Sequence, residues 1–201
     1  MTIENITVEF HDFPNKGYIL TQAPDILMRE IQDSINNMVS GQLHPLEYNG
    51  RLAGHLKKEF QLNFSPEAQR VIERLGQSYH DRHGSPADIK NKYIEAWVNM
   101  QAKHEFNPIH DHEGILSWVI WVQIPYDLQQ ELQVFPKANC HKASVFGFVY
   151  TDTLGNISTV ELPVDQTWQG RMCIFPAAMK HFVNPFYTSD GIRISVAGNL
   201  G

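Results

Sequence analysis

Two histidines placed two residues apart can offer two ligands to one metal ion, and this chain carries such a pair in Phe106-Asn107-Pro108-Ile109-His110-Asp111-His112-Glu113. In extended chain, residues i and i+2 point to the same side, so His110 and His112 share a face and Asp111 takes the other. Neutral imidazole suits iron, zinc, copper and nickel alike, so the pair alone fixes neither metal nor reaction; two polar loop histidines are its plain structural reading. A third histidine, His181, follows the apolar run Cys173-Ile174-Phe175-Pro176 and a turn. Alone it reads as a packed or hydrogen-bonded core histidine. Twelve residues further on, Arg193 interrupts the apolar alternation of Ile192-Arg193-Ile194-Ser195-Val196. A buried guanidinium needs an anion, its planar fork suits a carboxylate, and Ser195 on the same strand face can add a hydroxyl. The structural alternative is an ion pair with an acid of the fold.

These residues need a scaffold, and the remaining sequence describes one. Ile6 to Phe13 alternates as a strand does. Pro24 and Asp25 then open a stretch with Ile26, Leu27, Ile31, Ile35 and Met38 at helical spacing. Residues 41–54 read as an irregular connection. Ser65-Pro66-Glu67 begins a second helix, with Ala68, Val71, Ile72, Leu75 and Tyr79 on one side, which Gly84-Ser85-Pro86 ends. From Tyr93 the character changes. The segments 93–101, 115–124, 144–150, 157–162, 172–175 and 192–196 are short, β-branched or aromatic, and Leu154-Gly155-Asn156 and Trp168-Gln169-Gly170 mark turns. Trp118 and Trp121, three apart, fall on opposite faces of their strand, where core packing accounts for them. Helices followed by evenly spaced strands predict an α+β chain: one domain over 1–201, with 1–90 an N-terminal helical elaboration and 91–201 a β-sandwich or barrel.

The bulk composition narrows the function. A chain of 201 residues, 42% hydrophobic, suffices for one buried core. Sixteen Lys plus Arg against 22 Asp plus Glu give a net charge of -6, the wrong sign for a protein that lives on phosphate contacts, so nucleic acid is not the expected partner. The first ten residues lack a secretory pattern, and no segment reaches about 18 consecutive apolar residues. The expectation is a cytoplasmic protein with no membrane partner. Cys140 and Cys173, far apart and without CxxC spacing, are expected as reduced thiols.

Taken together, His110-x-His112, the distant His181 and Arg193-x-Ser195 are far more specific than any part. The combination resembles the Fe(II)- and 2-oxoglutarate-dependent oxygenases, whose pattern is His-x-Asp/Glu, a distal His, and a later Arg, often as Arg-x-Ser. More narrowly, FNPIHDHEGILSWVIWVQIP and IFPAAMKHFVNPFYTSDGIRISVAGN are similar to small oxygenases of phage and bacterial genomes. The likeness covers about residues 92–200; in the N-terminal half only Arg51-Leu52-Ala53-Gly54-His55 shares it. The resemblance implies a double-stranded β-helix, a cupin-like jelly-roll, with the N-terminal helices packed on it. It also implies Fe(II) as cofactor, with 2-oxoglutarate and O2 as cosubstrates. Carried over, His110 and His181 are iron ligands, and Arg193 with Ser195 clamps 2-oxoglutarate, which Asn99 can also hydrogen-bond. Where the wider superfamily has Asp or Glu, this chain has His112. The third ligand is therefore open between His112, Asp111 in a bulged turn and Glu113 as an outer ligand. His112 is favoured because it keeps the i, i+2 geometry without special backbone. Three neutral ligands would leave the charge of Fe(II) uncompensated and favour the 2-oxoglutarate dianion.

The expected reaction oxidises a protein side chain, an amino acid or a small metabolite, with release of succinate and CO2. Substrate selection is expected from the loop 129–142 and from the N-terminal helices. Two other functions fit parts of the pattern: a three-histidine thiol dioxygenase, and a non-catalytic jelly-roll binding module. If the chain is phage-encoded, its compartment is the host cytoplasm; assembly as a homodimer is left open.

Overall fold

The computed structural model describes residues 7–11, 17–42, 46–83 and 92–201. In chain order the elements are β1 (Val8–His11), β2 (Tyr18–Gln22), α1 (Asp25–Val39), β3 (Lys58–Leu62), α2 (Pro66–His83), β4 (Tyr93–Gln101), β5 (Asn107–His110), β6 (Leu116–Gln123), α3 (Leu128–Leu132), β7 (Phe146–Thr151), β8 (Ile157–Leu162), β9 (Arg171–Pro176), β10 (His181–Val183) and β11 (Arg193–Leu200). They form a seven-stranded sheet, ordered β1-β2-β9-β6-β11-β4-β3, and a four-stranded sheet, ordered β5-β10-β7-β8; all their pairings are antiparallel. The two sheets make the expected jelly-roll.

Period-two alternation divides the large sheet between two apolar cores. Ala96 and Val98 of β4, Trp118 and Ile120 of β6, Met172 and Ile174 of β9 and Val196 of β11 face α1 and α2, which bring Leu27, Ile31, Ile72 and Leu75. Fully burying a leucine or isoleucine such as Leu27 or Ile31 contributes roughly 1.5–3 kcal/mol. The opposite parity faces the small sheet: Val119, Trp121, Cys173 and Phe175 pack with Phe146 and Phe148 of β7 and Leu162 of β8. Trp118 and Trp121 thus lie in different cores, as their spacing requires.

The N-terminal half is more than a helical elaboration. Its β2 pairs with β9 and its β3 with β4, so segments before residue 90 supply strands on both sides of the large sheet. The strand read over 6–13 is described at Val8–His11, and the rest of it lies outside the described residues, as does the helix stop at 84–86. Cys140 and Cys173 are both free thiols, one exposed and one buried. No helix among the described residues is long and apolar enough to cross a membrane.

Candidate active site

On the inner parity of β11, β4 and β3 the side chains become polar. Ser195 of β11 is in register with Asn99 of β4, which is in register with Glu59 of β3; one step along, Arg193 pairs with Gln101. These residues, with Asn107 and the three histidines, line a narrow cavity that opens to solvent.

The small sheet supplies the histidines. His110, the last residue of β5, is in register with His181, the first of β10. The chain leaves the strand after His110, yet a backbone bond from His112 N–H to the Ala177 carbonyl (2.9 Å) returns His112 to the same place. The ring centroids lie 4.2 Å (His110 to His181), 4.9 Å (His110 to His112) and 5.1 Å (His112 to His181) apart, and one nitrogen from each ring lies within 4.8 Å of the others. Phe146 stacks on the His181 ring and Phe175 meets it edge-on.

The chemistry of this donor set fits a metal. His110 Nδ1 lies 2.7 Å from the Pro108 carbonyl and His181 Nδ1 lies 3.0 Å from the Met179 carbonyl. A carbonyl only accepts, so both rings carry the proton on Nδ1 and keep the Nε2 lone pair for a ligand role. Burial lowers the pKa of all three histidines, His112 to about 4, with neighbouring imidazoles adding for His112 and His181. Rings that stay neutral at neutral pH are the ligating form.

Asp111 takes the other side. It is half exposed and accepts a hydrogen bond from Lys180 Nζ at 2.8 Å, which holds its carboxyl below the usual value. Glu113 is exposed. Of the three residues open for the third ligand position, only His112 joins His110 and His181.

Arg193 is 4% exposed, and its five N–H groups all meet neutral oxygens. Nε and Nη2 share Gln101 Oε1 (3.0 and 2.5 Å), Nη1 donates to the Tyr126 hydroxyl and the Ser144 carbonyl, and Nη2 also donates to the Asn184 carbonyl. Among the described residues no carboxylate pairs with it, so the structural ion pair weighed for Arg193 is not formed. A buried cation held only by neutral acceptors has its charge uncompensated, and a carboxylate ligand supplies what is missing. Ser144, at φ 60°, adopts a left-handed backbone that is costly for a non-glycine residue and places its carbonyl on the guanidinium.

The sequence reading missed Gln101, Tyr126, Glu59 and Asn107. The signal for Gln101 was available, since Trp97, Asn99 and Gln101 share one parity of β4. The loop 129–142, part of which is α3, does not line the cavity, and neither do α1 and α2, which cover the outer face of the sheet. The wall there comes from Leu52, Ala53, Gly54 and Leu56, a segment with no periodic pattern.

Residues 95–199 match the family model described as "Putative 2OG-Fe(II) oxygenase". The chain belongs to this family and is an Fe(II)- and 2-oxoglutarate-dependent oxygenase, which sets aside the thiol dioxygenase and the binding module. Among solved structures it is similar to a prolyl-4-hydroxylase of Pseudomonas putida, at 13% identity and TM-score 0.50 over 97% of this chain and 91% of that one. A prolyl hydroxylase from Trichoplax adhaerens, in complex with a hypoxia inducible factor peptide fragment, matches at 10% identity and TM-score 0.52 over 90% and 82%. AviO1 from Streptomyces viridochromogenes Tue57 matches at 11% and TM-score 0.51 over 92% and 89%. At these identities the likeness is one of fold, the double-stranded β-helix. No protein of curated function matches the sequence significantly.

Proposed function

We propose that His110, His112 and His181 hold the iron, that Arg193 and Ser195 seat the far carboxylate of 2-oxoglutarate, and that Asn99 adds a hydrogen bond beside it. The observation that carries this reading is the convergence of three neutral imidazoles, two of them fixed with Nε2 as the ligating atom. Bound iron and 2-oxoglutarate supply the oxidising chemistry: O2 is divided between the succinate formed as CO2 leaves and a hydroxyl group placed on a substrate C–H bond.

The chain's own part is placement. Gln101 is held by its Nε2 donating to the Glu105 carbonyl, which turns Oε1 to the guanidinium. An incoming carboxylate shares or displaces that single neutral acceptor rather than an ion pair, so the site is charged and ready without being closed. Phe146, Phe175, Trp121 and Val183 give the cavity a low-polarity wall that limits water near the histidines. The substrate class, a protein side chain, amino acid or small metabolite, is part of this proposal, as is action in the cytoplasm.

The test is to add Fe(II) and then 2-oxoglutarate to metal-free protein without oxygen. A weak visible charge-transfer band that needs both additions and fades on admitting oxygen is expected. Iron binding with no such band would overturn the assignment.

A further inference from the structure

Glu59 is fully buried, lines the cavity, and neither of its carboxylate oxygens has a hydrogen-bond partner among the described residues. Its backbone is fixed: the Glu59 N–H donates to Asn49 Oδ1 at 3.2 Å and its carbonyl accepts from Tyr48 N–H at 2.8 Å. Two more buried oxygens without a partner, Asn99 Oδ1 and Asn107 Oδ1, line the same cavity. Leaving a carboxylate buried and unpaired is among the most unfavourable arrangements a fold can hold.

The space in front of the carboxylate is kept open by Gly54. A Cβ there would lie 2.6 Å from Glu59 Oε1 and 2.6 Å from Asn107 Oδ1, so any side chain at 54 would fill the gap both oxygens face. The two amides can turn either end to a ligand, whereas an ionised carboxylate only accepts. The cavity therefore has opposite polarity at its two ends. Arg193 marks the cationic end; Glu59 lies two strands away from β11, about 10 Å at the usual strand spacing.

We infer that Glu59, with the Oδ1 atoms of Asn99 and Asn107, forms the subsite for a basic nitrogen of the oxidised substrate, an ammonium or guanidinium group, the Asn99 Nδ2 donor being the end that serves 2-oxoglutarate. This rests on the iron and 2-oxoglutarate reading of the neighbouring site. The fit is chemical: several N–H donors and a positive charge complement a carboxylate and two amide oxygens, and desolvation makes the pairing selective against neutral donors. Burial, with the charge of Glu105 adding, pushes the Glu59 carboxyl up to about 7, and a cation beside it favours the ionised form.

The experiment titrates protein loaded with Fe(II) and 2-oxoglutarate, without oxygen, and follows binding by calorimetry. The probes are Nα-acetyl-arginine amide and Nα-acetyl-lysine amide, their neutral counterparts built on citrulline and norleucine, and free arginine and lysine. At least one basic probe should bind tenfold or more tightly than its neutral counterpart, and Glu59→Gln should remove that preference. Gly54→Ala, which keeps Glu59 but fills the gap and pushes its carboxylate and the Asn107 amide aside, should weaken the basic probe by a similar factor. The free amino acids against the blocked amides tell a free substrate from a peptidyl one. Basic probes that bind no better than neutral ones, or a preference that survives both substitutions, would overturn the inference; a Glu59 kept protonated by its neighbouring amides would give that result. The charge-transfer band separates the two failures. Its persistence with no discrimination sinks only the subsite, while its absence sinks the iron and 2-oxoglutarate reading.

Discussion

Glu131 and Glu59 are the two buried glutamates among the described residues, and the fold houses them in opposite ways. Glu131, on α3, accepts from the backbone N–H groups of Tyr187 and Thr188 and from the Thr188 hydroxyl, at 2.5 to 3.0 Å. It ties a helix to the loop that leads into β11, and so helps to place Arg193. Glu59 has equal burial and no such partners. The same difference separates Ser117 and Asn199, which hydrogen-bond to each other at 2.7 Å, from Asn99, whose Oδ1 is unmatched. Buried polar groups that satisfy one another belong to the scaffold; those that face a cavity unsatisfied belong to what the cavity binds.

The largest effect that tests this contrast is on stability. Glu131→Ala strands three donors, at roughly 1–3 kcal/mol for each one left without a partner, whereas Glu131→Gln keeps one acceptor oxygen and recovers part of the loss. Urea unfolding should show a loss of several kcal/mol for the alanine variant. A stability close to that of the parent would mean that the loop at 187–188 is held by something else.

Arg193→Ala comes next. Charge-assisted hydrogen bonds contribute about 1.5–3 kcal/mol, so 2-oxoglutarate affinity should fall on the order of a hundredfold while iron retention stays unchanged. Titrating 2-oxoglutarate into iron-loaded protein and following the visible band measures both. Unchanged affinity would place the anion site elsewhere in the cavity.

Much of this was legible in the sequence and some was not, for reasons tied to particular residues. The histidines and Arg193 stood out because each breaks a local pattern: two imidazoles at strand spacing, and a cation inside an apolar alternation. Of the strands from 93 onward all but the short β5 and β10 were visible in their periodicity, as were both long helices. Glu59 was hidden because Lys58-Glu59-Phe60-Gln61-Leu62 has the alternation of a strand with one wet face, on which a glutamate is unremarkable. Only the fold shows that this face looks into the jelly-roll. Neighbours in space but distant in sequence decide that, as they decide that Gly54 lies against Asn107. The cavity wall at 52–56 escaped for a related reason, since irregular backbone carries no period to read.

A smaller effect sharpens the contrast through pH. The Glu59 carboxyl is raised from 4.5 to about 7 in the fold. Between those values the folded state holds a proton that the unfolded chain has released, so this group's contribution to stability falls as pH rises through the window. Glu59→Gln removes that slope. The variant, without ligands, should gain stability relative to the parent on going from pH 5 to pH 8, by on the order of 1 kcal/mol. A constant difference would mean that Glu59 is ionised and matched in the free protein.

The smallest effect expected concerns a carboxylate on the outside. Asp111 sits between two of the histidines in sequence, but its side chain is turned to Lys180 in a half-exposed pair. Exposed pairs of this kind contribute little to stability, and Asp111 is not in the histidine cluster. Asp111→Asn should therefore leave iron affinity unchanged in competition with a chelator, while His112→Ala should lower it at least tenfold. The reverse result would require residues 111–112 to turn over at the end of β5, breaking both the Lys180 pair and the bond from His112 N–H to Ala177. Because those two contacts both tie the segment to the 177–180 turn, a carboxylate ligand here would need a rearranged backbone and not merely a different rotamer.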